Sequence, residues 1–276
     1  MRTRTITAIV GAIIIAPFLV FFDTYAGAAL IQIAGVICTY ELLNATGLKK
    51  KWFLAVPLYI LALGLPLLVY FKENENFFRY SAVIFFLLSI YMLTVSVFSK
   101  GKIQVDNTSV LFTMSFYVLM SLNCLYLLRT EEQGALLYML PLVTSWSTDI
   151  FAYFSGRLFG RHKLIPDVSP KKTVEGAVGG FVCSVGIIVL YGLLMKIFFE
   201  ASPNYLNLII AGTLMSIASM AGDLIASLVK RHYGIKDYGW LLPGHGGALD
   251  RIDSVLAAAP LLMILHELPM GFALFR

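Results

Sequence analysis

The sequence predicts an all-α polytopic membrane protein of about nine transmembrane helices, with its N-terminus on the cytoplasmic side and its polar, ionisable residues gathered in the C-terminal half. Three observations predict it. Of the 276 residues, 59% are hydrophobic and only 13% charged, with a mean hydropathy of +0.81, which is too apolar for a soluble domain. Apolar stretches of about 20 residues, the length needed to cross a hydrocarbon core, recur along the chain. Lysine and arginine concentrate in alternate loops, as they do on the cytoplasmic side of a membrane.

In chain order the expected spans are 6–22, 26–47, 52–71, 78–98, 107–128, 135–160, 174–199, 205–228 and 252–275. The first follows Arg2 and Arg4, so a cleaved signal peptide is its alternative, with Ala26-Gly27-Ala28 resembling a cleavage site. The chain continues directly into further spans, which favours a retained helix. With the N-terminus inside, only Lys72, Arg79, Arg129, Lys196 and Arg276 fall on the outer side, and the rest of the 21 Lys and Arg face the cytoplasm. The net charge of +5 therefore describes the inner face. Topology and attraction to anionic lipid account for it, and nucleic acid is not an expected partner.

Cys38, Cys124 and Cys183 each stand alone in apolar runs and read as packing residues. The 4 His are dispersed, which argues against a zinc site. Up to about Glu132 the spans carry few ionisable groups; from Ser145 onward, charged and small polar residues enter the spans and two long cytoplasmic loops. The expected division is thus 1–132 as N-terminal scaffold helices, serving dimerisation or lipid access, and 133–276 as the catalytic region. Glu41 is the exception in the first half, read as lying at the interface or pairing locally.

Three polar stretches carry the chemistry. In 144–160 (TSWSTDIFAYFSGRLFG), Ser145, Asp149, Ala152, Tyr153 and Gly156 share a helix face. A carboxylate within a membrane span normally faces a partner or a water-filled cavity, which makes Asp149 a functional candidate; an ion pair with Arg157 is its structural alternative. In 169–180 (SPKKTVEGAVGG), Ser169 is expected to cap a helix beginning at Pro170, setting Lys171 and Lys172 beside free N–H groups as a phosphate site. A basic cytoplasmic loop without a ligand is the other reading. Gly176 and Gly180 have the spacing of close helix packing.

The third stretch begins on the eighth span, where Ser216, Ser219, Asp223, Ser227 and Lys230 recur at three- and four-residue steps. It ends in 241–254 (LLPGHGGALDRIDS), where Asp250 and Asp253 share a face of the last helix. Asp149, Asp223 and Asp250 are expected to converge from three helices. Clustered carboxylates repel unless a cation lies between them, and oxygen-only ligands suit Mg²⁺. The Pro243-Gly244-His245-Gly246-Gly247 turn can approach a phosphate closely. Together these features describe a metal-dependent site for a polyphosphate.

Residues 227–253 (SLVKRHYGIKDYGWLLPGHGGALDRID) closely resemble the signature of the phosphatidate cytidylyltransferases, or CDP-diglyceride synthases. The resemblance is carried by Ser227, Lys230-Arg231, Lys236-Asp237, Gly239, Pro243, His245-Gly246-Gly247, Asp250-Arg251 and Asp253, and by Ser169-Pro170-Lys171-Lys172-Thr173 and 149–160. Ala248 stands where a larger aliphatic residue is usual, and Ala226 where a Glu is often found. The resemblance covers the C-terminal half strongly, and the N-terminal half only as apolar spans.

What the resemblance implies is transfer of CMP from CTP to phosphatidate, giving CDP-diacylglycerol and pyrophosphate, with Mg²⁺ as cofactor. It also implies a homodimer; the Lys and Arg distribution places the active site on the cytoplasmic side of what is expected to be a bacterial inner membrane. On that footing Asp223 and Asp250 are the expected metal ligands, with Asp253 and Asp149 next, and a second, monovalent cation fits the number of carboxylates. Lys171, Lys172 and Arg251 would neutralise the triphosphate or the lipid phosphate, and His245 with the Gly246–Gly247 backbone would hold the pyrophosphate end. Lys230, Arg231 and Lys236 would gather anionic lipid at the surface, with Ser169 and Thr173 completing the substrate-binding set. The rivals are a CTP-dependent enzyme acting on another lipid phosphate or a polyprenyl substrate, and an ion-coupled transporter.

Overall fold

The computed structural model describes residues 21–22, 24–71, 74–239, 246–267 and 272–275. The chain divides into two compact units. One comprises Met1–Leu127 with Tyr233–Arg251; the other comprises Leu128–His232 with Ile252–Arg276.

The first unit is built from α1 (Tyr25–Ala45), α2 (Trp52–Tyr70), α3 (Asn74–Phe98) and α4 (Val105–Thr130) up to Leu127. Long apolar runs form helices because hydrocarbon offers no partner for a backbone N–H or C=O, so each segment must bond to itself. Thr24 starts α1, its Oγ1 accepting the Ala26 N–H at 3.2 Å. Gly35 lets neighbouring helices approach: a Cβ there would lie 3.3 Å from Leu119 Cδ2 and 3.4 Å from Ala62 Cβ. Ser96 and Thr108 join α3 to α4 through a buried 2.8 Å hydroxyl pair.

The second unit contains α5 (Gly134–Leu137), α6 (Met139–Phe159), a hairpin of β1 (Lys163–Ile165) and β2 (Ser169–Thr173), α7 (Val174–Phe199) and α8 (Tyr205–His232). It also takes α9 (Leu249–His266) from Ile252 onward. The contact of α6 with α7 is made by small residues. A Cβ on Gly180 would lie 2.7 Å from Thr148 O and 3.1 Å from Ala152 N, and one on Gly176 would lie 2.7 Å from Ala152 O. Backbones this close bear out the packing role expected of the two glycines. Hydroxyls complete the seam: Ser147 Oγ donates to Ser184 Oγ at 3.0 Å, and Thr148 Oγ1 and Ser216 Oγ pair at 2.9 Å between α6 and α8.

Among the described residues, 7 helices are long and apolar enough to cross a membrane: Tyr25–Ala45, Trp52–Tyr70, Asn76–Phe98, Val105–Thr130, Gly134–Phe159, Val174–Phe199 and Tyr205–His232. They coincide with the second to eighth expected spans. Residues 6–20 of the first lie outside the described residues. The last forms α9, 18 residues long, whose first turns hold Asp250, Arg251 and Asp253 and so leave it outside the seven.

The 169–173 segment corrects an expectation. It is a β-strand, antiparallel to β1 with Lys163 opposite Thr173 and Ile165 opposite Ser169, and the helix starts only at Val174. Pairing with β1 holds 169–173 extended past Pro170, so Thr173, the last residue of the strand, takes the capping role expected of Ser169. Lys171 and Lys172 therefore stand on a strand leading into α7 rather than in its first turn.

Gly180→Val should lower the thermal stability of the detergent-solubilised protein by roughly 1–3 kcal/mol, because the added atoms meet the α6 backbone. Gly186→Ala, where an added Cβ meets nothing within 4 Å, should leave the melting temperature unchanged or raised. Thermal unfolding of both variants checks the packing account.

Candidate active site

In the second unit the hairpin delivers two lysines to a carboxylate cluster. Its entry is fixed by Glu175 in the first turn of α7, whose carboxylate accepts the N–H groups of Arg161 at 3.1 Å and His162 at 3.2 Å and meets His162 Nδ1 at 2.6 Å. Its exit is fixed by Thr173, with φ −123° and ψ 154°, whose Oγ1 accepts the Gly176 N–H at 3.1 Å. Gly160 and Gly156 must be glycine here, since a Cβ on either would come within 2.9 Å of Thr173 Oγ1.

The strand then sets Lys172 Nζ 2.5 Å from Asp223 Oδ2, both side chains being about a quarter exposed at 27% and 26%. Ser227, one turn along α8, donates to Asp223 Oδ1 at 3.3 Å. Across the site, Asp149 Oδ2 accepts the Ser254 hydroxyl at 3.0 Å. Asp253 is buried, its Oδ1 accepting the Ser254 N–H at 2.9 Å, and it feels the charges of Asp223, Lys230 and Asp149. A cavity of about 390 Å³ opens beside this group, lined by Asp149, Tyr153, Arg157, Lys171, Lys172 and Asp223, with Gly156 and Gly176 in its wall.

The expected α6 stripe is thus present, with Asp149, Ala152, Tyr153 and Gly156 on the cavity and Ser145 buried behind them. The Arg157 guanidinium reaches the Tyr153 hydroxyl at 3.4 Å. On α8, Ser216, Ser219, Ser227 and Lys230 are all buried on the face that bears Asp223. The burial of Lys230, at 8% exposure, corrects its expected place among surface lipid-gathering cations, because it sits instead within reach of the Asp253 charge. Arg231 is exposed, its Nε donating to Val168 O at 3.3 Å, and Lys236 is exposed. Thr173 serves as the helix cap, while Ser169 is half-buried at the start of β2.

The first unit holds the other part of the signature. One oxygen of Asp250, Oδ2, accepts the N–H groups of Tyr238 at 2.8 Å and Gly247 at 3.0 Å. Gly246 turns the chain at φ +87°, a conformation that favours glycine. Arg251 is exposed. His245 lies outside the described residues, as do Pro243 and Gly244. Glu41 is the residue whose role sequence reasoning missed. It is buried at 2% exposure, and its two oxygens accept the N–H groups of Ala248 and Leu249, each at 2.9 Å. The available signal was a lone carboxylate in an apolar span, which must find donors somewhere.

Among the described residues, no three His, Cys, Asp or Glu side chains are grouped closely enough to hold a metal ion by themselves. The donor chemistry nonetheless fits a hard cation. Asp149, Asp223 and Asp253 offer only oxygen. Ser145 and Ser219, one helical turn from Asp149 and Asp223, bury hydroxyl oxygens that have no hydrogen-bond partner among the described residues. Carboxylate, hydroxyl and water oxygens are the ligands Mg²⁺ takes.

The chain matches the model of a family described as the cytidylyltransferase family over residues 2–268. It is 35% identical over 272 residues to the phosphatidate cytidylyltransferase of Staphylococcus saprophyticus, covering 96% of this chain and 98% of that protein. The phosphatidate cytidylyltransferases of Staphylococcus epidermidis and Staphylococcus aureus are each 34% identical, over 269 and 266 residues, with the same coverage.

Replacing Thr173 by Val keeps the β-branched shape but removes the oxygen that caps α7. The expected cost is about 1 kcal/mol, read as a lowered melting temperature; an unchanged melting temperature would show that the cap does not hold the hairpin.

Proposed function

Because the chain belongs to the cytidylyltransferase family, we propose that it transfers the CMP group of CTP to phosphatidate, forming CDP-diacylglycerol and pyrophosphate. The observation that carries this reading is the extent of the match to the phosphatidate cytidylyltransferases, 96% of the chain, which takes in both the apolar spans and the polar cluster. The Lys172–Asp223 pair at the cavity supports it, since a strand-borne ammonium beside a carboxylate has the charges needed to receive a phosphate and its cation.

In this reaction a phosphate oxygen of the lipid attacks the α-phosphorus of CTP. A new P–O bond forms in line with the breaking bond to the bridging oxygen, and pyrophosphate leaves with the electron pair. The lipid phosphate is itself an adequate nucleophile, so no activated Ser or Cys is required. Both reactants are anionic, and the protein's task is to position them and neutralise their charge. Mg²⁺ supplies charge neutralisation at the triphosphate when bound. Its proposed ligands are Asp223 and, on the strength of the signature alone, Asp250, with Asp253 and Asp149 next; the number of carboxylates also suits a second, monovalent cation.

Lys171, Lys172 and Arg251 neutralise the triphosphate or the lipid phosphate. His245 holds the pyrophosphate end, and Gly246 and Gly247 let the backbone come close to it. Arg231 and Lys236 draw anionic lipid, and Lys230 balances Asp253. The finer topology is part of the same proposal: nine spans, the N-terminus and active site on the cytoplasmic side of a bacterial inner membrane, and a homodimer. The distribution of Lys and Arg supports the orientation.

Purified protein in lipid-containing detergent, given labelled CTP, phosphatidate and Mg²⁺, should place the label in the organic phase, and EDTA should prevent it. CTP turnover with another lipid acceptor but not with phosphatidate would replace the substrate assignment. Asp250→Asn should lower turnover by at least about 100-fold while leaving the protein folded in the membrane, and normal activity would remove Asp250 from the metal. Lys172→Ala should raise KM for CTP or for phosphatidate, and an unchanged dependence on both would count against a phosphate-binding lysine.

A further inference from the structure

We propose that Glu41, in the middle of the N-terminal apolar half, is a positioning residue for CTP, acting by anchoring the turn that joins Gly246 to Asp250. The proposal rests on the cytidylyl-transfer reading above.

The geometry is specific. Glu41 lies near the end of α1, buried at 2% exposure. Its Oε1 accepts the Ala248 N–H and its Oε2 the Leu249 N–H, both at 2.9 Å, across separations of 207 and 208 residues. These are donors at the start of α9, where the first helical N–H groups have no partner within the helix and the helix dipole favours a negative charge. The carboxylate is also the surface against which two glycines are packed. A Cβ on Gly247 would lie 2.5 Å from Glu41 Oε1, and a Cβ on Gly239 would collide with the same oxygen.

Asp250 works from the other side of the turn, its Oδ2 holding the N–H groups of Gly247 and Tyr238. Successive amides of the turn are therefore divided between two carboxylates: Gly247 to Asp250, Ala248 and Leu249 to Glu41. Gly246, at φ +87°, is the hinge ahead of them. A carboxylate in an apolar helix is costly to bury, and its cost is offset only if both oxygens find donors. Glu41 finds them in the one turn where the proposed mechanism sets the pyrophosphate end of CTP. Holding that backbone in place before substrate arrives is how a residue with no contact to the reacting atoms raises the rate.

A glutamine at position 41 has the same shape but offers one oxygen and one NH₂, so one of the two backbone N–H groups would face a donor. Glu41→Gln in the full-length protein in lipid-containing detergent should therefore lower kcat/KM for CTP by about tenfold or more, with KM for phosphatidate retained. Amide hydrogen exchange at Ala248 and Leu249 should accelerate, while exchange within α6 and α7 stays as in the unsubstituted protein. Gly239→Ala, which drives a methyl group against the Glu41 carboxylate, should give the same split and serves if Glu41→Gln does not fold. Unchanged kinetics, or a loss of kcat with both KM values unchanged, as from a smaller folded fraction, would overturn the positioning role. The exchange measurement needs no turnover. Accelerated exchange at Ala248 and Leu249 in a protein that does not use CTP would uphold the anchor and overturn the positioning of CTP together with the enzymatic reading; unaltered exchange overturns the anchor itself.

Discussion

A carboxylate buried in a chain this apolar needs donors from within the protein, and the way Glu41, Asp250, Asp223 and Asp149 find theirs organises the structure. Glu41 is met by two backbone N–H groups at the start of α9. Asp250 is met by two more, from Tyr238 and Gly247. Asp223 is met by an ammonium and a hydroxyl, and Asp149 by the hydroxyl of Ser254. An unpaired ion buried as deeply as Glu41 would cost several kcal/mol, so its two N–H contacts serve the local fold as much as a site.

The two kinds of answer suit different tasks. Backbone N–H groups are fixed by the chain, and a carboxylate that receives them is locked; Glu41 and Asp250 in this way hold the glycine turn of the first unit. Side-chain partners can exchange. Lys172 and Asp223 are about a quarter exposed beside a cavity, and in the proposed reaction they exchange each other for a phosphate and a cation. The small residues of α6 and α7 make this possible: Gly156, Gly160 and Gly176 bring Thr173, and hence β2, against α6, which places Lys172 over α8.

Much of this was legible in the sequence. Apolar length located the 7 helices that, among the described residues, are long and apolar enough to cross a membrane. Three- and four-residue spacing put Ser216, Ser219, Asp223, Ser227 and Lys230 on one face of α8, and the four-residue step from Gly176 to Gly180 announced close packing. Signals within one segment failed where a partner outside that segment decided the outcome. Ser169-Pro170 looks like a helix start, but pairing with Lys163–Ile165 holds those residues extended and moves the start to Val174. Lys230 looks like one more cytoplasmic cation, but it is buried within reach of Asp253. The partners of Glu41 lie more than 200 residues away in sequence, and no local pattern records them.

The polar cluster of the second unit, with Asp223 at its centre, is the proposed place of cytidylyl transfer. The most direct measurement is Mg²⁺-dependent formation of labelled CDP-diacylglycerol by Asp223→Asn, compared with the unsubstituted protein at matched melting temperature and membrane yield. Product formation should be lost while the folded protein remains. Turnover at the unsubstituted rate would contradict it and place the reaction elsewhere in the chain.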